Sequence, residues 1–137
     1  VSTFQIFPNM EAIVIDKVVT TAGVDAFDRI PAVNRPNEFA IIHLSGGIVL
    51  ERHKWNIPDL HFDVYAESKS RAHELAQTIR QILMDNEGSR WTHSVYTSIT
   101  AFVSKVSDGM SIQWLPDPIE QPLLARYVFG LSFVCSP

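Results

Sequence analysis

Between Ile57 and Leu83 the sequence reads IPDLHFDVYAESKSRAHELAQTIRQIL, and its apolar period changes partway from that of a strand to that of a helix. Leu60, Phe62, Val64 and Ala66 fall on one strand face, with Asp59, His61, Asp63 and Tyr65 on the other. Ala72, Leu75, Ala76, Ile79, Ile82 and Leu83 then recur at three- and four-residue spacing and make one apolar helical stripe. Ser68 or Ser70 can cap that helix, and Asn86 with Gly88 supply its stop. A strand that passes within about three residues into a covering helix is a two-layer unit, so the fold must place helix over sheet here.

The rest of the chain is read around that unit. A first helix begins near Pro8 or Asn9, with Met10, Ile13, Val14 and Val18 on one face and Gly23 as its end. Ile15 and Val19 make its opposite side apolar as well, which suits a helix packed against two things, one of them another subunit. Short strands are expected at Val24 to Ile30 and Glu38 to Leu44, then a turn at Ser45-Gly46-Gly47 and a return arm over Ile48 to Trp55. Beyond the central helix, Ser94 to Val106 is dense in β-branched residues and reads as a strand. Asp108-Gly109 reads as a hairpin turn into Met110 to Leu115, and Ala125 to Cys135 as a buried strand with Tyr127, Phe129, Leu131, Phe133 and Cys135 inward. Short turns between successive strands imply an α+β fold: a mainly antiparallel β-sheet with two helices packed on one face.

The 137 residues, 46% of them hydrophobic, suit one domain with one core. A net charge of −4 without a basic stripe argues against a dedicated nucleic-acid binder. One cysteine, Cys135, cannot form an intrachain disulfide, and the first residues do not read as an export signal, so a reducing compartment is expected. No apolar run approaches the roughly 18 residues that span a bilayer, and no membrane role is expected.

Sites of chemistry are sparse. His43, His53, His61, His73 and His93 fit no HExxH motif and no i, i+4 helical pair; His53 and His61 could meet across a hairpin near Asp59 or Asp63. Ser45-Gly46-Gly47 lacks the lysine and helix of a phosphate loop. Cys135 sits on the inward set of its strand, where an inert thiol is expected. The reading is therefore not an enzyme, with no cofactor and no metal. Two stretches stand out instead. Glu51, Arg52, His53, Lys54 and Trp55 lie in an exposed hairpin arm, where Trp and Arg are common interface anchors, unless Trp55 is tucked into the core. Trp114, Leu115, Ile119, Leu123 and Leu124 lie in a proline-stiffened segment that docks onto its own sheet or onto a neighbour.

FPNMEAIVIDKV, RIPAVNRPNEFAIIHLSGG, the 57–83 stretch and WLPDPIEQPLLARYVFGLSF occur in an order that resembles the tail terminator proteins of long-tailed bacteriophages, especially those of actinobacterial hosts. The most specific parts are Arg35-Pro36-x-Glu38-Phe39, Asp63-Val64-Tyr65-Ala66 running into Ala72-His73-Glu74-Leu75-Ala76, and Pro116-Asp117 before Arg126-Tyr127-Val128-Phe129. The spacer Ile119 to Leu124 departs from the family pattern in being longer and more apolar. The resemblance spans nearly the whole chain. It implies a structural virion protein, made in the host cytoplasm, that forms a homo-oligomeric ring, a hexamer, caps the tail tube and joins the tail to the head. Its partners would be further copies of itself, the major tail tube protein and a head-closure or connector protein, with DNA only passing through the lumen. On that implication, Glu51 to Trp55 with Trp114, Ile119 and Leu123 contact the tube or a neighbouring subunit, while Asp59, His61, Asp63 and Tyr65 face the lumen or a seam. Another neck component, for tail completion or head closure, and a small-ligand-binding α+β domain remain the alternatives.

Overall fold

A computed structural model describes residues 9–51, 55–117 and 124–137, and of residues 48–51 the backbone alone. Helix α1 spans Met10–Lys17; the Asn9 side chain caps it by accepting from the Ala12 N–H at 3.2 Å. Glu11 in its first turn and Lys17 in its last suit the helix dipole. The helix widens into a π-helical turn, Val18–Ala22, and ends at Gly23, whose φ of 69° is a left-handed stop. Met10, Ile13, Val14 and Val18 are buried as their spacing requires. Of the second apolar side, Ile15 packs against the same core and Val19 is exposed.

Six strands follow: β1 (Ala26–Phe27), β2 (Phe39–Glu51), β3 (Trp55–Ala66), then after helix α2 (Lys69–Asp85) β4 (Ser89–Thr92), β5 (Thr100–Trp114) and β6 (Ala125–Ser136). They form one curled sheet in the order β1-β2-β3-β6-β5-β4, antiparallel throughout except for the parallel β1–β2 pair. Both helices lie on one face, so the expected α+β architecture is the observed one. Helix α2 is capped by Ser68, which accepts from the Arg71 N–H at 3.2 Å. Its buried stripe, Ala72, Leu75, Ala76, Ile79 and Leu83, joins Leu60, Phe62, Val64, Phe129, Leu131, Phe133 and Cys135 in one core. At its centre Phe62 of β3 and Phe129 of β6 stack with ring centroids 4.6 Å apart and planes 4° apart.

Seven strands were expected and six form among the described residues, because three turn or strand assignments shift. The Ser45-Gly46-Gly47 stretch is not a turn: β2 runs through it with a bulge between Leu44 and Gly46, and the β2–β3 connection falls at residues 52–54. Glycine is needed there for another reason. Gly47 has φ of 130°, and a Cβ on it would overlap the Ile57 carbonyl oxygen and lie 2.7 Å from Pro58 Cα. Asp108-Gly109 likewise continues as strand, so Met110 to Leu115 does not fold back. A Cβ on Gly109 would lie 3.6 Å from the Gly130 backbone, and the register irregularities on either side of Met110 bend β5 along β6.

The third shift is at Ser94 to Ile99, which forms a loop rather than a strand. Its place is taken by β4, which pairs Ser89 with Val103 and Trp91 with Ala101. Trp91 drives this arrangement: it is buried edge-on against Phe133, and its indole N–H donates to the Asn86 carbonyl at 3.0 Å. Of the strand expected over Val24 to Ile30, Ala26–Phe27 alone forms, where Val24 and Ala26 turn inward and Phe27 faces the other way.

Candidate functional site: the outer sheet face and its two ends

The sheet face away from the helices carries what chemistry the described residues assemble. Alternation along β3 sends Asp59, His61, Asp63 and Tyr65 to this side, as the sequence requires. Tyr65, however, is not open to a lumen or a seam. Phe39 on the neighbouring strand stacks on it at 4.8 Å, and with Ile41 and Leu124 these residues form a second, small core, 1% of Tyr65 remaining exposed. Its hydroxyl donates to Asp117 Oδ2 at 3.0 Å. Burial, then this bond to a carboxylate, raise the Tyr65 phenol well above its ordinary ionisation range, against the opposing pull of Arg126. Asp117 and Leu124 thus both pack with Tyr65 on the outer face of the sheet.

Further along the face, the His61 Nε2 and Asp63 Oδ1 lie 2.9 Å apart, and the ring of His43 on β2 lies 5.0 Å from that of His61. Ser132 donates its hydroxyl proton to Asp59, whose backbone carbonyl accepts from Ser45 Oγ at 3.0 Å. Of these groups, Ser45, Asp59, His61 and Ser132 line a hollow of about 220 Å³ together with Gly109, Met110 and Gly130. The arrangement orients His61 but gives it no hydroxyl to activate, because the Ser132 proton is directed to Asp59. Among the described residues, no three His, Cys, Asp or Glu side chains converge on a point that could hold a metal. Cys135 is buried, with burial pushing its thiol up to about 11, the direction that quenches nucleophilicity.

The two aromatic stretches lie at opposite ends of the sheet. In the hairpin, Glu51 pairs with Trp55, and Trp55 is 37% exposed; Arg52, His53 and Lys54 lie outside the described residues, as do Ile119 and Leu123. Asn56, next to Trp55, aligns with Cys135 of β6, whereas Trp114 aligns with Tyr127 at the other end of that strand. Trp114 is also 37% exposed. It is braced from beneath by Tyr127 at 5.4 Å, with the Lys69 ammonium 4.7 Å over its ring. Leu115 beside it is half exposed and is fixed by Arg126, whose Nε donates to the Leu115 carbonyl at 2.7 Å.

Alternation along the last strand put Arg126 and Ser132 on its outward set, but sequence reasoning had no access to their meeting His43, Phe39 and the polar side of β3 on this face. Their place depends on the pairing registers β2–β3 and β3–β6, which no local pattern encodes. No protein-family model matches the chain, and no curated protein matches it.

Proposed function

We propose that this chain is a structural virion protein, a ring-forming tail terminator that caps the tail tube of a long-tailed bacteriophage and joins it to the head connector. The observation that carries this reading is the placement of two half-exposed tryptophans, Trp55 and Trp114, at opposite ends of the strand stack. A ring subunit between a tube below and a connector above needs one contact surface at each end of its sheet, and Trp is the residue most enriched at interface anchors. Head-to-tail ring closure needs two further, different side patches. Val19 on the first helix, Val95 and Tyr96 in the β4–β5 loop and Val33 before β2 are further exposed apolar residues. The sequence resemblance supplies the hexamer, the tube and connector proteins as partners, the passing DNA and the place in the virion neck.

The reading is tested in a phage that carries this chain. Changing Arg52, Lys54 and Trp55 together to alanine should yield unjoined or overlong tails by electron microscopy, with the purified variant still melting in one cooperative transition. Normal virions from that variant would remove the hairpin from the tube contact. In a strain lacking the chain, overlong tubes support the terminator, whereas filled heads that leak their DNA point to a head-closure component instead.

A further inference from the structure

The loop that joins β4 to β5, residues 93–99, is held by a side chain whose proton count decides whether the hold exists. His93 Nδ1 lies 3.1 Å from both the Val95 and the Tyr96 backbone nitrogens and accepts from each N–H. An imidazole nitrogen can accept only while it carries no proton, so these two bonds require a ring with its proton on Nε2 alone. Ser94 is anchored separately: its N–H and its hydroxyl donate to the two oxygens of Asp16 on α1, at 3.1 and 2.6 Å. The loop base is closed by His93 N–H to Ile99 O at 2.9 Å and Ile99 N–H to Tyr96 O at 2.8 Å. What His93 fixes is the pair of tip amides, at residues whose side chains are open to solvent: Val95 is 71% and Tyr96 64% exposed.

We propose that His93 is an acid-released latch: protonation of Nδ1 undoes the tip of the β4–β5 loop while leaving its base and the sheet in place. A second proton on the ring would aim an N–H at two backbone N–H groups, so both bonds are lost together. The closed tip thus binds one proton fewer than the open tip, and by linkage it is favoured at higher pH and lost as pH falls. The charged ring is not expelled, because acidic groups face it. Asp16 Oδ1 of α1 lies 3.9 Å from Nε2, and Glu11 of the same helix and Asp28, after β1, line the same recess. The one neighbouring cation on α1, Lys17, has its ammonium directed over the Trp91 ring, 5.5 Å from the centroid. Within the loop the Tyr96 ring lies 5.2 Å from the imidazole. Release therefore frees a pair of exposed apolar side chains that are otherwise presented in one geometry.

Amide hydrogen exchange read by NMR tests this, with rates normalised for the intrinsic effect of pH. As pH falls from about 8 to about 5, the range in which imidazoles gain their second proton, protection at Val95 and Tyr96 should drop about tenfold, the order expected for losing ordinary hydrogen bonds. Protection at Ile99 and Gly88 should hold. His93→Asn supplies an acceptor that does not titrate, and its tip protection should be flat over the same range. Wild-type protection at the tip that does not change with pH, or an equal drop in H93N, overturns the latch. Should H93N fail to fold, the ¹⁵N shifts of the wild-type ring decide: a protonated Nδ1 at neutral pH overturns it, and a bare Nδ1 that gains its proton in step with the Val95 and Tyr96 amide shifts supports it.

Discussion

Tyr65 lies against the Phe39 ring and gives its phenol proton to Asp117, so ionising it would set two negative charges side by side in a buried place. The folded state holds this proton more tightly than the unfolded chain does. Its contribution to stability is therefore complete below the ordinary phenol range near pH 10 and is lost as pH rises above that. Urea midpoints measured across the alkaline range should fall, and Tyr65→Phe should flatten that fall while costing about 1 kcal/mol at neutral pH for the lost hydrogen bond. Equal alkaline slopes in the two proteins would show that Tyr65 is not responsible. Alternation along 57–66 assigned Tyr65 to the outer face, and that much was legible. That the face is covered there was not, because the cover comes from Phe39 and Leu124, far away in sequence, and a single strand cannot announce what lies on its polar side.

At the scale of elements, β3 and α2 were readable because each period extends over many residues and each boundary has its own chemistry. Ser68 at the start of α2 is the clearest case. The glycine pairs misled for a physical reason: a residue that permits a turn equally permits a bulge or a close backbone approach. Gly47 and Gly88 separate these roles. Gly88 sits at φ of 77° with open space around it, so Gly88→Ala should cost about 1 kcal/mol from conformation alone. Gly47→Ala adds a clash with the backbone of Ile57 and Pro58, and the cost should rise to about 3 kcal/mol. Chemical denaturation of the two variants checks the order, and a Gly47→Ala protein as stable as Gly88→Ala would mean that the bulge in β2 can relax. The false strand at Ser94 to Ile99 has a similar lesson. Its β-branched residues suit a strand, but the bonds that His93 and Asp16 accept from the backbone outcompete pairing.

For the whole molecule, one core holds both helices to one sheet, and the Phe62–Phe129 stack lies at its middle. Phe129→Ala should cost about 4 kcal/mol, a large part of the 5 to 15 kcal/mol typical of a domain. Calorimetry should show the loss as one lowered transition; a second, separate transition would mean that the sheet halves melt independently. The sequence singled out the hairpin and the Trp114 stretch as contact surfaces, but their position at opposite ends of the sheet follows from the β6 registers. β6 itself has a further consequence. It follows the other five described strands in the chain, yet it lies between β3 and β5, with β1-β2-β3 on one side and β5-β4 on the other. Until Ala125 to Ser136 is available, the chain holds two half-sheets whose inner edges are unpaired and open to other chains. Completion waits on contacts distant in sequence, which makes for slow closure and a window of vulnerability during synthesis. A protein built this way is most at risk of aggregation just before its central strand arrives.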